Sequence, residues 1–485
     1  MATIREYIDE VRKERPILDN LVTKYGNESM WSVSERVLDR GKQQAHFYRP
    51  EFIPLFKRAF PYLPVDVLEQ YEETLKSNPL ISTADHHGPI DHPAFVSSNI
   101  LLSLYGNITI PPILSFSSIP LNNASYPRGL LLGGPEGMKR FSFFGSRVRH
   151  ETVNTVDALE FNSGTISNWT LENKKNFDSS ELEFIESILK DFTRSSSVND
   201  CNSYSEQVRI WNLWFWKKFF PNKHIYFNPI DDLTSTFFKE VLCKNSALPI
   251  YKVLFTLPQD KQERIFNGVY GAWKSDKLKS YSPGGGTWYF WGINKAKRMI
   301  PLRREGGKLT AHDKSFTSIN WTPESLSEAL FNKKIVPALI TNYLVVGGHY
   351  GLYCSGGNNQ VYYYGEIMKG YVKALENIGE FEEAKRVKKI DTSGVHQLLW
   401  LLFGKNKNKI IPLCSMNMFY IEKKLHNIMK IIDSIDFEIG FNIAAALLFP
   451  YIVSPQRRKE MNYTFEDTFI QLKNIMPNDL IFQEW

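Results

Sequence analysis

The side chains best suited to chemistry are concentrated in one short segment of the chain. It runs Asp85-His86-His87-Gly88-Pro89-Ile90-Asp91-His92 and contains three of the ten histidines. A histidine supported by an aspartate can remove a proton from a hydroxyl or an amine. The segment follows an apolar run, Leu80 to Ala84, and precedes a helical pattern that begins at Pro93. We therefore expect the cluster at a strand-to-helix turn, where reacting groups are often presented.

The spacing within this segment resembles two acyltransferase signatures. His86 and Asp91 resemble the HxxxxD pair of glycerolipid acyltransferases, and His86, His87 and Asp91 resemble the HHxxxD signature of condensation-type acyltransferases. The resemblance implies acyl transfer, with His86 as the base in the first pattern and His87 in the second. It also implies that Asp91 orients the ring or holds the local backbone. In the condensation signature, glycine stands where this chain has His92.

Other interpretations of the same residues remain open. The literal Asp85-His86-His87 resembles the DHH phosphoesterases, although no DxD motif precedes it. A Zn or Fe site is a second alternative, because His86, His87, Asp91 and His92 are of ligand type. A polar turn whose histidines bind backbone groups is a third. A non-catalytic binding or effector protein is the alternative from a different class.

A polar loop downstream is a candidate for substrate binding. Asn122, Asn123 and Arg128 follow a candidate strand within a few residues of one another. The guanidinium group of Arg128 can bind a carboxylate or a phosphate through two parallel hydrogen bonds. We expect this loop to contact an anionic substrate, with an Asn-rich turn as the structural alternative.

A basic block between Lys295 and Lys308 provides the strongest local positive field. It includes Arg303 and Arg304 and is opposed only by Glu305. Such a field attracts phosphate-bearing molecules, so an acyl-CoA or acyl-carrier donor is the cofactor that we expect, unless the site holds Zn or Fe. The expected partner is therefore an anionic or carrier-linked small molecule.

A glycine-rich segment lies between an apolar run and a predicted helix. It spans residues 347–360 and contains His349 and Cys354. Its backbone amides are suited to an anion, but the GKS or GKT ending of a P-loop is absent from the sequence. Cys354 with His349 as its base is a further nucleophile candidate, although free cysteines are more often buried and inert.

Composition limits the class of protein. The chain has 485 residues, 43% of them apolar and 23% charged, and a net charge of +6. These values predict a folded enzyme-sized protein, and the weak positive charge argues against a dedicated nucleic-acid binder. The four scattered cysteines and the lack of a signal pattern at the start predict a cytoplasmic protein. The apolar stretch from Ile439 to Ser454 is too short to span a bilayer and predicts a buried helix, while the aromatic strings leave peripheral membrane contact open.

Hydrophobic periodicity predicts an α/β or α+β fold with a central mixed sheet. We expect a helical segment over 1–80, an α/β core over 81–320 with a polar insertion near 162–205, and a mainly helical region over 321–485. In the helix that begins at Val65, the expected buried stripe is Val65, Leu68, Tyr71 and Leu75. The complete interpretation is a cytoplasmic enzyme of small-molecule biosynthesis, with acyl transfer as the leading activity. A metal-dependent hydrolase or oxidative enzyme is the main alternative.

Overall fold

The N-terminal region is helical, as the sequence predicts. In this computed structural model, which describes residues 2–106, 109–123, 128–145, 151–266 and 287–485, it comprises α1 (Ile4–Glu14), α2 (Pro16–Tyr25), α3 (Met30–Asp39), α4 (Phe52–Ala59) and α5 (Val65–Ser77). The stripe predicted in α5 is corrected at one position. Val67 is buried and Val65 is 72% exposed, because Val65 lies about 100° around the helix from the centre of the buried face.

The remaining helices are distributed through the rest of the described chain. Those before residue 300 are α6 (Pro93–Tyr105), α7 (Ser163–Asn173), α8 (Ser179–Ser195), α9 (Tyr204–Phe219), α10 (Ile230–Glu240), α11 (Pro249–Tyr251) and α12 (Gln259–Phe266). Those after it are α13 (Pro323–Phe331), α14 (Leu339–Tyr343), α15 (Gln360–Asn377), α16 (Phe381–Lys388), α17 (Met418–Leu425), α18 (Ile428–Ser434), α19 (Phe437–Ile452), α20 (Pro455–Glu460) and α21 (Phe465–Gln471). The mixed α/β class with helical terminal regions is thus confirmed.

The strands are short and form several small sheets. They are β1 (Leu80–Ser82), β2 (Ile113–Ser115), β3 (Gly129–Gly134), β4 (Gly137–Ser142), β5 (Phe227–Pro229), β6 (Phe290–Ile293), β7 (Met299–Pro301), β8 (Arg303–Glu305), β9 (Lys308–Thr310), β10 (Ile319–Asn320), β11 (Ile335–Pro337), β12 (Tyr353–Ser355), β13 (Phe403–Asn406), β14 (Lys409–Pro412) and β15 (Ile481–Glu484). The sheet that positions the histidine segment has the order β12-β1-β2-β5, with every pair parallel. Because β12 pairs with β1, residues from both sides of the domain boundary expected at residue 320 belong to this one sheet.

This parallel sheet separates two hydrophobic cores. The first residues of its strands face one core, which contains Leu80, Ile113, Phe227 and Tyr353. The second residues of three strands face the other core, which contains Ile81, Leu114 and Cys354. Side chains alternate between the faces of a strand, and a parallel sheet is usually covered on both faces. The two cores therefore lie on opposite faces of the sheet.

Two predicted segments take a more definite form in the structure. The polar stretch near 162–205 forms α7 and α8, and most of their apolar side chains, including Trp169 and Leu189, are buried in the first core. The apolar stretch that begins at Ile439 lies mostly within α19, which packs against α1 and is largely buried. In the part of the chain that the structure describes, we find no helix with the length and apolarity needed to span a membrane.

Candidate functional site

The histidine segment lies at the carboxyl end of the parallel sheet. Beyond the last residue of β1 the chain remains paired with the extension of β2. The backbone N–H of His87 donates to the carbonyl of Phe116 at 2.8 Å, and the N–H of Phe116 donates to the carbonyl of Asp85 at 3.0 Å. The segment then turns into α6 at Pro93. This is the strand-to-helix turn predicted from the sequence, at the edge where open α/β sheets bind ligands.

A cavity of about 290 Å³ opens beside this turn, between the two cores. His86 and His92 both line it, as do residues that follow β2 and β12. Its main apolar lining residues are Phe95, Phe116, Ile119, Trp291, Leu448 and Ile452. Its main polar lining residues are Thr83, Ser118, Asn123, Asn358, Gln360, Tyr363 and Gln397. None of the described residues lining this cavity is Asp, Glu, Lys or Arg.

His86 and His92 are positioned by aromatic neighbours. The ring of Phe95 meets both imidazoles edge-on, with centroids 5.4 Å from His86 and 6.1 Å from His92. His92 is the N-cap of α6, and its Nδ1 accepts the N–H of Ala94 at 3.3 Å. Burial lowers the pKa of His86 to about 3, with a smaller contribution from His92, and burial lowers the pKa of His92 to about 4. Both rings are therefore neutral at physiological pH.

The adjacent His87 is fully buried and does not line the cavity. Its Nε2 lies 3.0 Å from the carbonyl oxygen of Ser205, and its Nδ1 lies 2.8 Å from the hydroxyl oxygen of Ser115. Because a carbonyl only accepts, Nε2 carries the proton and Nδ1 accepts from the hydroxyl. Both ring nitrogens are thus engaged in a link between β2 and α9. Of the two bases implied by the acyltransferase resemblance, this geometry favours His86.

Asp91 holds the backbone at the start of α6. Its Oδ1 accepts the N–H of His92, and its own carbonyl accepts the N–H of Ser415 at 3.1 Å. Its Oδ2 is buried without a hydrogen-bond partner. Burial raises the pKa of Asp91 well above its usual value. Of the two roles that the acyltransferase resemblance implies for Asp91, these contacts fit the one that holds the local backbone.

Asp85 is a buried carboxyl group that the sequence interpretation did not assign to the site. It accepts a hydrogen bond from Nδ2 of Asn99 at 2.9 Å, and its Oδ2 has no hydrogen-bond partner. Burial raises the pKa of Asp85 to about 7. Asp85 lies between the end of β1 and the two histidines. In the sequence, the only signal that marked it was its literal match to the DHH motif.

The expected substrate-binding residues are divided by the fold. Asn123 lines the cavity, whereas Asn122 is exposed and Arg128 is half-buried outside the lining. Arg303 and Arg304 lie on β8 and do not line the cavity either. Arg303 pairs with Glu305 at 3.0 Å, and the guanidinium of Arg304 lies 5.0 Å from the ring centroid of Trp321. The basic block and the histidine cavity are therefore separate features.

The metal and cysteine alternatives gain no support from the geometry. Within the described ranges, no group of three or more His, Cys, Asp or Glu side chains is arranged to hold a metal ion. Cys354 is fully buried, and burial raises its pKa to about 12, so the thiol is protonated. Nδ1 of His349 lies 2.9 Å from a guanidinium nitrogen of Arg49, which is the donor of that hydrogen bond.

Two helix N-termini adjoin the cavity. His92 and Ala94 at the start of α6 line it, and so do Asn359 and Gln360 at the start of α15. The N-terminus of a helix carries partial positive charge and stabilises a nearby anion. The glycine-rich pattern had indicated this property for the residues before α15.

Gln360 and Gly356 give the wall of the cavity its shape. Oε1 of Gln360 accepts hydrogen bonds from Thr83 and Tyr343, each at 2.9 Å, and its Nε2 donates to the carbonyl of Cys354 at 3.0 Å. A Cβ added at Gly356 would lie 1.7 Å from Oε1 of Gln360, so a larger residue there would displace this amide. Gln397, which joins this wall from a distant part of the sequence, was missed because no local motif marks it.

The comparisons with known proteins leave the site to be interpreted from its own geometry. No protein-family model matches the chain. A search of curated proteins likewise found no significant match.

Proposed function

We propose that this protein is an enzyme that transfers an acyl group to a small alcohol or amine, with His86 as the general base. The observation that supports this most strongly is the joint placement of a neutral imidazole and two helix N-termini around one cavity. A base and a positive field are the two features that attack on an acyl carbonyl requires. His87 and Asp91 then act as positioning residues.

The proposed reaction begins when the hydroxyl or amine attacks the carbonyl carbon of a bound acyl donor. His86 accepts the proton of the nucleophile as the new bond to carbon forms, and the carbonyl oxygen becomes an oxyanion. The field of the helix N-termini stabilises this oxyanion. Collapse of the intermediate breaks the bond to the leaving group, which receives the proton from His86 as it departs.

The low pKa of His86 is compatible with this role. At physiological pH the ring is already deprotonated, so no part of the enzyme population is lost to the wrong protonation state. The oxyanion that forms during attack places negative charge in the same cavity, and this charge favours the imidazolium ion. The ring therefore becomes more basic as the reaction proceeds.

The donor that we propose is a thioester of the acyl-CoA or acyl-carrier type. A thiolate is a good leaving group, so the reaction needs no stronger acid than imidazolium. We also propose a reducing, cytoplasmic setting, because the four cysteines are all free thiols.

Thiol release from a model donor tests the proposal. S-Butanoyl-N-acetylcysteamine is incubated with the protein and a panel of small alcohols and amines, and a thiol reagent measures turnover. His86→Ala should lower turnover at least ~100-fold, as is typical when a general base is removed. His426→Ala is the matched control, because His426 is exposed. Equal turnover in the wild type and the His86 variant would contradict the proposal.

A second donor separates catalysis from donor recognition. p-Nitrophenyl butanoate carries the same acyl group without an amide, and its release is followed by absorbance. Loss of both activities in His86→Ala, with an unchanged melting temperature, is the result that we expect. Turnover of neither donor by the wild-type protein with any acceptor would count against acyl transfer and favour a non-catalytic binding role.

A further inference from the structure

One wall of the cavity contains a pair of amide side chains with unused hydrogen-bonding atoms. Asn358 and Gln397 both line the cavity, and Nδ2 of Asn358 donates to the backbone carbonyl of Gln397 at 2.9 Å. Oδ1 of Asn358 and Nε2 of Gln397 are buried and have no hydrogen-bond partner. Asn358 itself is 96% buried, since only 4% of its surface is exposed.

We infer that the cavity binds an uncharged molecule that contains an amide group, and that Asn358 and Gln397 hold this amide. The inference rests on the proposed function only in identifying that molecule as a substrate of acyl transfer. It assigns a binding role to two residues and a chemical class to the ligand.

The side chain of Gln360, in the same wall of the cavity, is an amide whose hydrogen bonds are all made within the protein. Both of its polar atoms are engaged by Thr83, Tyr343 and the carbonyl of Cys354. Buried polar groups in proteins are nearly always paired in this way. Asn358 and Gln397 instead offer an unpaired acceptor and an unpaired donor in the lining of one cavity, and a ligand there would pair them.

An amide is the complementary group for this pair. Its N–H donates to Oδ1 of Asn358, and its carbonyl accepts from Nε2 of Gln397. The terminal torsion of a glutamine side chain has a broad, roughly two-fold profile, so Nε2 can turn toward a ligand at little cost. An ester of the same shape offers only the carbonyl and would leave Asn358 unpaired.

The residues that line the cavity also disfavour a charged ligand. The described lining residues include no Asp, Glu, Lys or Arg, and the two lining histidines are neutral at physiological pH. A charged group that enters such a cavity loses its hydration without gaining an ion-pair partner. The partial charge of a helix N-terminus, worth about 1 kcal/mol to an anion, does not replace that hydration. An alcohol therefore suits the acceptor role better than an amine, which would have to enter unprotonated. The anionic ligand expected from the sequence has no charged counterpart among these residues.

A matched series of hexyl compounds tests both parts of the inference. N-Hexylacetamide, hexyl acetate, hexylammonium and heptanoate share an apolar chain and differ in the head group. Calorimetry or ligand-observed NMR on the full-length protein at neutral pH gives their relative affinities. We expect the amide to bind about 10-fold more tightly than the ester, as one lost hydrogen bond with an unpaired acceptor implies. Both neutral compounds should bind more tightly than either charged one.

Substitution of Gln397 tests whether this side chain holds the ligand. Gln397→Met keeps the size of the side chain and removes the donor that the carbonyl of either compound uses, so it should weaken binding of the amide and of the ester alike, each by about 10-fold. Gln456→Met is the matched control, because Gln456 is exposed on α20. Melting temperatures confirm that both variants fold. A Gln397→Met protein that binds the amide as tightly as the wild type would overturn the assignment.

The remaining outcomes are equally decisive. Equal binding of amide and ester by the wild type, stronger binding of a charged compound, or no binding of any of the four overturns the inference. His86→Ala should still prefer the amide, because His86 takes no part in holding it. A protein that shows this preference but releases no thiol from the model donor upholds the amide site and contradicts the proposed function.

Discussion

The two adjacent histidines should respond in opposite ways to substitution. His87→Ala removes a fully buried ring together with its hydrogen bonds to the hydroxyl group of Ser115 and the carbonyl of Ser205. Two lost hydrogen bonds at about 1 kcal/mol each, together with the cavity left by the ring, give a loss of about 4 kcal/mol. His86 already lines a cavity, so His86→Ala should cost less than about 1 kcal/mol.

Thermal unfolding provides the assay. For a chain of 485 residues the unfolding entropy is about 1 kcal/mol/K, so His87→Ala should lower the melting temperature by about 4 °C and His86→Ala by less than about 1 °C. The turnover assay should show the reverse ranking, with the large loss in His86→Ala. Equal melting temperatures, or loss of turnover with no loss of stability in His87→Ala, would refute the division of roles.

Three further predictions concern titration and packing. Burial lowers the pKa of His396 from 6.5 to about 3, so the stability that its neutral form contributes is present above pH 6.5 and is lost as the pH falls toward 3. His396→Gln should therefore reduce the decline of the free energy of unfolding between pH 6.5 and 4 by about 1.4 kcal/mol per pH unit, which is about 1 °C of melting temperature per pH unit, and an unchanged slope would contradict this. Burial raises the pKa of Asp91, so this carboxyl group destabilises the fold as the pH rises above 3.8. Asp91→Asn should thus melt at a higher temperature than the wild type at pH 8 while it retains turnover, and a lower melting temperature would refute the conclusion that burial of this carboxyl group costs stability at high pH. Gly356→Ala should abolish binding of N-hexylacetamide because the new Cβ displaces the amide of Gln360, whereas Gly164→Ala, whose nearest neighbour is 3.4 Å away, should bind normally.

Much of the local structure was predictable because it depends on short-range patterns. The sequence predicted the starts of α5 at Val65 and of α6 at Pro93, since apolar spacing and a Pro residue at the helix start are local signals. It also predicted that the histidine segment joins a strand to a helix. The helix α7 was missed because its sequence is rich in Ser and Asn, and its burial comes from packing on a core formed by distant residues.

The choice between His86 and His87 could not be predicted in the same way. Adjacent residues in extended backbone point in opposite directions, and the sequence does not say which direction leads to a cavity. That depends on α9, which brings Ser205 to His87, and on α15 and α19, which close the space around His86. The pairing of Asn358 with Gln397 likewise depends on segments that meet only after folding. Residue types and local spacing thus set the chemistry available to this chain, while long-range packing determines which of those groups share a cavity and which are sealed in the core.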